Sequence, residues 1–228
     1  AVLDFDCHAR VTSLLQMKTS VSIENWQDTA DERFETRLAV YPVGRQGAIF
    51  VLPGIRRPIN RDMLNEALVT DVLKYMRQHA DLVLVDCGPD FEDATVLSLE
   101  AATSVLIVAT MDVQTLRDIY RLPKDVSLTH TDEKRIRTVL NRVPKKAPFS
   151  IRQVREWLPW ELIAQVPEDE SVSALQNHGK LPVLEKNCAF SSAVTNLAAR
   201  LTPALEEAVQ PHRGGLLARL FRRKGGGE

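Results

Sequence analysis

Cysteine is nearly absent: the 228 residues hold 3, at Cys7, Cys87 and Cys188, with no C-x-x-C. Cysteines this few and this far apart exclude a disulfide framework and a zinc ribbon, and they fit a reducing cytoplasm. No apolar run approaches the roughly 20 residues needed to span a bilayer. Neither sign of charge prevails: 29 Lys and Arg face 30 Asp and Glu, for a net charge of −1. That balance gives no global pull toward nucleic acid. No G-x-G-x-x-G occurs, which disfavours a dinucleotide-binding Rossmann enzyme. There is no internal repeat, and no low-complexity stretch before the last residues. What remains is 44% hydrophobic and 26% charged. This is the balance of a soluble globular chain, long enough for one large α/β domain.

Short, continuously apolar runs alternate with runs of helical period. The pattern predicts strands over residues 2–5, 48–52, 82–86, 104–110, 136–141 and 162–166. It predicts helices over 12–17, 28–38, 62–79, 92–102, 113–122, 151–158, 171–177 and 191–209. Asn60 or Asp62 is expected to cap the third, Pro123 to end the fifth, and Pro203 to bend the last. Apolar strands alternating with helices mean a mostly parallel sheet with helices on both faces.

The stretch Asp81-Leu82-Val83-Leu84-Val85-Asp86-Cys87-Gly88-Pro89 organises the rest. It reads as the central buried strand, delivering Asp86 to the carboxyl edge of the sheet, where ligands of open α/β sheets bind. A carboxylate there suits a hydrated Mg²⁺ that also touches phosphate. It equally suits a loop carboxylate capping the next helix. Asp4 and Asp6 close the first strand, and strand alternation would turn them to one side. Asn141-Arg142 and Pro167-Glu168-Asp169 follow two later strands; Asn141-Arg142 alone reads as a strand-end turn. Cys7, His8 and Cys87 would converge on a metal in one reading and fill core space in the other. Trp157 and Trp160 read as packing, and Arg56-Arg57 and Lys145-Lys146 as solvated loops.

In this order the motifs resemble the MinD/ParA group of deviant Walker A P-loop ATPases. The pattern is a strand ending in D-x-D, a strand ending in D-x-x-P, a helix, a strand and a Thr/Pro-Asp/Glu turn, then V-x-N-R, then a P-E-D or P-x-D turn. Val166-Pro167-Glu168-Asp169-Glu170-Ser171-Val172, with Ala174 and Asn177-His178-Gly179-Lys180, is similar to the MinD end of the domain. The resemblance covers about residues 1–205. It implies a SIMIBI-like P-loop NTPase fold, ATP and Mg²⁺ as cofactors, and a homodimer formed on ATP. Carried over by position, it makes Asp6 the group that orients the attacking water, with Asp4 beside it. Asp86 would hold Mg²⁺ through water. Asn141, with Arg142, would read the adenine edge, and the backbone around Pro167, Glu168 and Asp169 would line the base pocket. The lack of C-x-x-C sets the chain apart from the iron–sulfur carriers related to this group.

The K-G-G-x-G-K-[ST] loop of the family does not occur in this sequence. Without its nest of backbone N–H groups, the chain as given is expected to bind ATP poorly or not at all. The chain enters a strand directly at Ala1, so the expectation is a truncated domain whose first strand and phosphate loop lie upstream. A degenerate paralogue is the alternative.

Two segments are expected: a truncated ATPase-like domain over 1–209, and a flexible basic tail over 210–228. In the tail, Leu216, Leu217, Leu220 and Phe221 share a helical face, with Arg219, Arg222 and Arg223 off it. This resembles the membrane-targeting helix of MinD and the tails of CpaE/TadZ pilus-assembly relatives. It implies attachment to anionic lipid on the inner face of the cell membrane, made firm by dimerisation. A disordered tail that aids solubility is the other reading. By the same resemblance, the protein is an ATP-driven spatial switch whose partner belongs to a polar, pilus or division apparatus. Pro167-Glu168-Asp169 and the tail point to MinD and the septum. Val139-Leu140-Asn141-Arg142 and the run Leu116-Arg117-Asp118-Ile119-Tyr120-Arg121-Leu122 point to CpaE/TadZ, toward which the reading tips. A non-catalytic scaffold and a DNA-partitioning ParA are the competing classes, the latter disfavoured by the near-neutral charge.

Overall fold

The computed structural model describes residues 1–6, 8, 10–43, 47–185 and 188–208, with Pro58 and residues 202–208 described by backbone alone. The described chain divides into two compact units, residues 1–98 and 99–206.

The first unit is built on a four-stranded sheet in the order β2-β3-β1-β4. The strands are β1 (Val2–Asp4), β2 (Ala39–Val43), β3 (Gly47–Leu52) and β4 (Leu84–Asp86). β1 runs parallel to both β3 and β4, while β2 pairs antiparallel with β3. A short helix, α1 (Arg10–Leu14), follows β1, and α2 (Glu66–His79) precedes β4. Leu3, Val51 and Leu52 of the sheet, and Val69, Val72 and Met76 of α2, are buried to the last percent. The buried residues of α2 recur at helical spacing, so one stripe of the helix is removed from water.

Three expectations fail in this unit. Residues 28–38 form turns rather than a helix, and they lead into β2, a strand the sequence pattern does not signal. Arg37, only 4% exposed, explains the difference. Its guanidinium lies 3.5 Å from the centroid of Trp26 and 4.4 Å from that of Tyr75, and it donates to the Trp26 carbonyl. These contacts fix a non-helical path that local propensity does not encode. The cap of α2 is Asn65, whose side chain accepts from Leu68 N–H, because residues 58–63 wind as 3₁₀ turns first. Finally, β4 is not central. It pairs only with β1 among the described strands, and Leu84 is 55% exposed.

The second unit carries a three-stranded parallel sheet in the order β5-β6-β7. Its strands are β5 (Val105–Thr110), β6 (Ile136–Val143) and β7 (Leu162–Pro167). Its helices are α4 (Val113–Val126), α5 (Ile151–Trp157), α6 (Glu170–Asn177) and α7 (Ala189–Ala208); α3 (Asp93–Ala101) straddles the division in sequence. Ala109, Leu140 and Leu162 of the strands pack with Leu116 and Ile119 of α4 and Val154 of α5. Helices α4 and α5 therefore cover one face of the sheet, while Val108 of β5 is exposed. α4 does not stop at Pro123 but continues to Val126, which is buried against Val105, Ile136 and Trp160. Tertiary burial of that last turn outweighs the hydrogen bond that proline forfeits.

The α/β class and the mostly parallel strand pairing agree with the sequence reading. The tail residues Leu216, Leu217, Arg219, Leu220, Phe221, Arg222 and Arg223, and the boundary at residue 209, lie outside the described residues. Among the described residues no helix is long and apolar enough to cross a membrane.

Candidate functional site

Strand pairing sets the geometry in the first unit. β1 and β4 are parallel neighbours in register, so their last residues, Asp4 and Asp86, lie side by side at the carboxyl edge. The backbone continues the pairing one step further, with Phe5 N–H donating to the Asp86 carbonyl at 2.8 Å. β1 ends at Asp4, so strand alternation does not govern Asp6, which sits in the following bend.

The three carboxylates have different surroundings. Asp4 is 1% exposed. Its Oδ2 accepts from Val11 N–H at 2.9 Å, which ties the first turn of α1 to the strand end. Its Oδ1 is buried with no hydrogen-bond partner. Burial pushes the carboxyl up to about 6; the Val11 hydrogen bond opposes the shift, and the charges of Asp86 and Asp6 add to it. Asp86 is open to solvent, yet its carboxyl is also raised, first by partial desolvation and then by Asp6, with Arg10 opposing. Asp6 Oδ1 accepts from His8 N–H at 3.1 Å and lies 3.1 Å from the His8 ring Nδ1; Arg10 Nε stands 4.0 Å from Oδ2. Gly88 completes the cluster: a methyl built on it would lie 4.0 Å from Asp6 Oδ1, so the turns after β1 and β4 meet.

Carboxylate oxygens are the donors a hard cation prefers, and the orphaned Asp4 Oδ1 beside Asp86 leaves acceptor capacity at this edge. Among the described residues no three His, Cys, Asp or Glu side chains converge to hold a metal by themselves. A cation here would need ligands from water and phosphate as well, which is the usual binding of Mg²⁺. Cys7, one member of the alternative metal set, lies outside the described residues. The Cys87 thiol is raised by burial, the behaviour of a packed thiol.

The second unit has a carboxyl edge of its own. Thr110 ends β5 in register with Asn141 of β6. Asp112 caps α4, accepting from Thr115 N–H and Oγ1 at 2.9 Å and from Thr110 Oγ1 at 2.5 Å; these hydrogen bonds hold its carboxyl below the ordinary range. The Thr/Pro-Asp/Glu turn of the motif pattern falls here, on Thr110 and Asp112; Thr115 is not signalled by it, although Asp112 at the start of a helix is a capping signal. At Asn141-Arg142 the register with β7 shifts, and Arg142 takes φ 53°, in the left-handed region. A β-bulge with a strained non-glycine residue is a local cost that the surrounding structure must hold in place. Asn141 Oδ1 accepts from Arg142 N–H at 3.0 Å, so its amide NH₂ is the end left to donate. Beyond the bulge, Glu168 N–H donates to the Val143 carbonyl at 2.9 Å, which seats the Pro167-Glu168 segment beside β6. Asp169 caps α6 and also accepts from the start of α7. Its side chain is committed to helix ends.

No family model matches the sequence. Over 164 residues the chain is 29% identical to a putative septum site-determining protein MinD from Guillardia theta, covering 69% of this chain and 60% of that protein. A MinD of the same description from Mesostigma viride is 25% identical over 181 residues, covering 76% and 62%. The matched stretch thus spans about 60% of the length of these relatives. Among solved structures, MinD complexed with Mg-ADP from Pyrococcus horikoshii superposes with a TM-score of 0.71 at 16% identity, covering 88% of this chain and 82% of that one. A ParA family ATPase from Chlorobium tepidum gives 0.73 at 19%, covering 88% and 84%. A MinC:MinD complex from Aquifex aeolicus gives 0.71 at 19%, covering 94% and 86%. At these identities the structures share the fold.

Proposed function

The chain belongs to the MinD/ParA superfamily, and from that premise we propose that it acts as a MinD-like ATPase in division-site placement. The observation that carries the proposal is the in-register placement of Asp4 and Asp86 at the ends of adjacent parallel strands, with Asp6 turned against Gly88. Phosphoryl transfer asks a protein for positioning and charge neutralisation more than for covalent chemistry. Asp6, half-enclosed and oriented by His8 and Arg10, is the group proposed to orient the attacking water. Asp86 would hold Mg²⁺ through water, and the ion when bound neutralises phosphate charge. Asp4 keeps a role beside Asp6, holding the first turn of α1 behind it. In the second unit, Asn141 and Arg142 with Pro167, Glu168 and Asp169 form the edge proposed to receive the base.

The switch reading adds a homodimer formed on ATP. It also adds tail residues Leu216, Leu217, Arg219, Leu220, Phe221, Arg222 and Arg223 on anionic lipid at the inner face of the membrane, and a protein partner of the division apparatus. A solved MinC:MinD complex with the same fold supports a partner of that kind. The matched relatives carry the septum-site name, which favours the division reading over the pilus reading. The test is Mg²⁺-dependent ATP binding and hydrolysis by protein expressed from its gene's own start codon, beside the Asp86→Ala variant. Binding that the substitution weakens supports the switch. Wild-type protein that binds no ATP leaves a non-catalytic scaffold instead.

A further inference from the structure

Asp169 follows β7 by two residues, and its two carboxylate oxygens serve two different helices. Oδ1 accepts from Ser171 N–H at 3.0 Å and from the Ser171 hydroxyl at 2.6 Å, at the start of α6. Oδ2 accepts from the Cys188 thiol at 3.3 Å, Ala189 N–H at 3.0 Å and Phe190 N–H at 3.4 Å, at the start of α7. Helix N-termini carry unsatisfied N–H groups and partial positive charge, so a carboxylate shared between two of them is doubly favoured. These hydrogen bonds, led by the Ser171 hydroxyl, hold the carboxyl down at about 2.

On the ATPase reading of this strand edge, we propose that Asp169 is a positioning residue for the base pocket. Its carboxylate clips the first turns of α6 and α7 to the end of β7 and so fixes Pro167 and Glu168, without touching the base. Both oxygens are already engaged, which leaves the side chain poorly placed to read a base edge. The segment it anchors is held on its other side by the Glu168 N–H bond to the Val143 carbonyl, next to the bulge that presents Asn141. Pro167-Glu168 is therefore secured at two points. Release of the Asp169 end would let one wall of the pocket drift, and binding geometry is sensitive to displacements of about 1 Å.

Asp169→Asn separates the two ends of the clip. Its remaining oxygen still caps α6, as asparagine does well. The other position becomes an NH₂ group, which opposes the N–H groups of Ala189 and Phe190. Asp169→Ala removes both ends. The full-length protein would be measured for affinity to Mg-ATP, Mg-GTP and Mg-tripolyphosphate, the last having no base, and for amide exchange at residues 171, 189 and 190. For Asp169→Asn the expected result is a loss of ATP affinity of about tenfold and an ATP-to-GTP preference falling toward one. Tripolyphosphate affinity should be unchanged, and exchange should be faster at Ala189 and Phe190 but not at Ser171. In Asp169→Ala, Ser171 should lose protection too. Lost protection with base preference intact overturns the proposal, because the clip is then structural only. Lost base preference with protection intact also overturns it, because the carboxylate then contacts the base. A wild-type protein that binds none of the three ligands brings down the ATPase reading and the base-pocket role with it. Exchange at Ala189 and Phe190 then shows whether the clip itself exists, which separates the two failures.

Discussion

Asp4 and Asp169 both stand at or just past the carboxyl end of a parallel strand, and their surroundings drive them in opposite directions. Asp4 is almost fully buried, accepts a backbone hydrogen bond from Val11, keeps an orphaned Oδ1 and faces two other carboxylates; its carboxyl is pushed up to about 6. Asp169 receives hydrogen bonds from the starts of two helices, and its carboxyl is held at about 2. Donors stabilise a carboxylate, while burial and like charge destabilise it. The first edge is thus under electrostatic tension that a cation would relieve. The second is already satisfied by its own chain. Tension of that kind accords with the proposal that this edge receives a cation, and the satisfied Asp169 accords with a positioning role at the second.

The largest effect expected on the tense edge is on turnover. Asp86→Ala should lower Mg²⁺-dependent ATP hydrolysis by about 10²–10³-fold, the range seen when one transition-state charge partner is removed. A phosphate-release assay across a Mg²⁺ titration checks it. Retention of full activity would mean that the raised carboxyls at this edge are structural. Next comes Asp4→Asn, which should stabilise the protein at neutral pH. The folded pKa of Asp4 lies above its unfolded value, so folding favours the protonated form. Its stability contribution is whole below pH 3.8 and is lost as pH rises to about 6. Above that window the ionised group costs about 3 kcal/mol, at about 1.36 kcal/mol per pKa unit. An asparagine avoids the charge but brings an unpaired NH₂, so the net gain at pH 7.5 should be about 1–3 kcal/mol, falling near pH 3.5 to zero or to a loss of up to about 2 kcal/mol. Urea titrations at the two pH values measure the difference.

The sequence carries the tense edge more openly than the satisfied one. The apolar runs before Asp4 and Asp86 announce strands, and parallel strands in register must bring their final residues together. Local pattern thus places a carboxylate at the end of each strand, and the pairing of β1 with β4 brings the two together. The exposure of Leu84 does not follow, because the strand's place in the sheet depends on which strands pair with it. Nor does the turn-rich stretch before β2 follow, since the stacking of Arg37 on Trp26 and Tyr75 joins residues up to 49 positions apart. The same limit hides the clip. Pro167-Glu168-Asp169 is visible as a turn, but the partners Cys188, Ala189 and Phe190 lie about twenty positions on. The bulge at Asn141-Arg142 is likewise a product of pairing with β7, without a glycine to signal it.

On the satisfied edge the effects are smaller and the sign of the pH dependence reverses. The folded pKa of Asp169 lies below its unfolded value, so its contribution is present above pH 3.8 and is lost as pH falls toward about 2. Asp169→Asn should therefore destabilise the protein at pH 6, with the deficit shrinking as the medium is acidified; thermal melts at pH 6 and pH 2.5 test the trend. The smallest change is expected at Cys188, the buried thiol that donates to the same carboxylate. Cys188→Ser retains a donor at this position, whereas Cys188→Ala removes one of several donors to a carboxylate that keeps the rest. The alanine variant should lose about 0.5–1 kcal/mol and the serine variant less, since a thiol is a weak donor and a hydroxyl a stronger one. If serine costs more than alanine, the packing of sulfur rather than its hydrogen bond holds α7 at this point. The two helix starts would then be joined mainly by the N–H groups of Ala189 and Phe190.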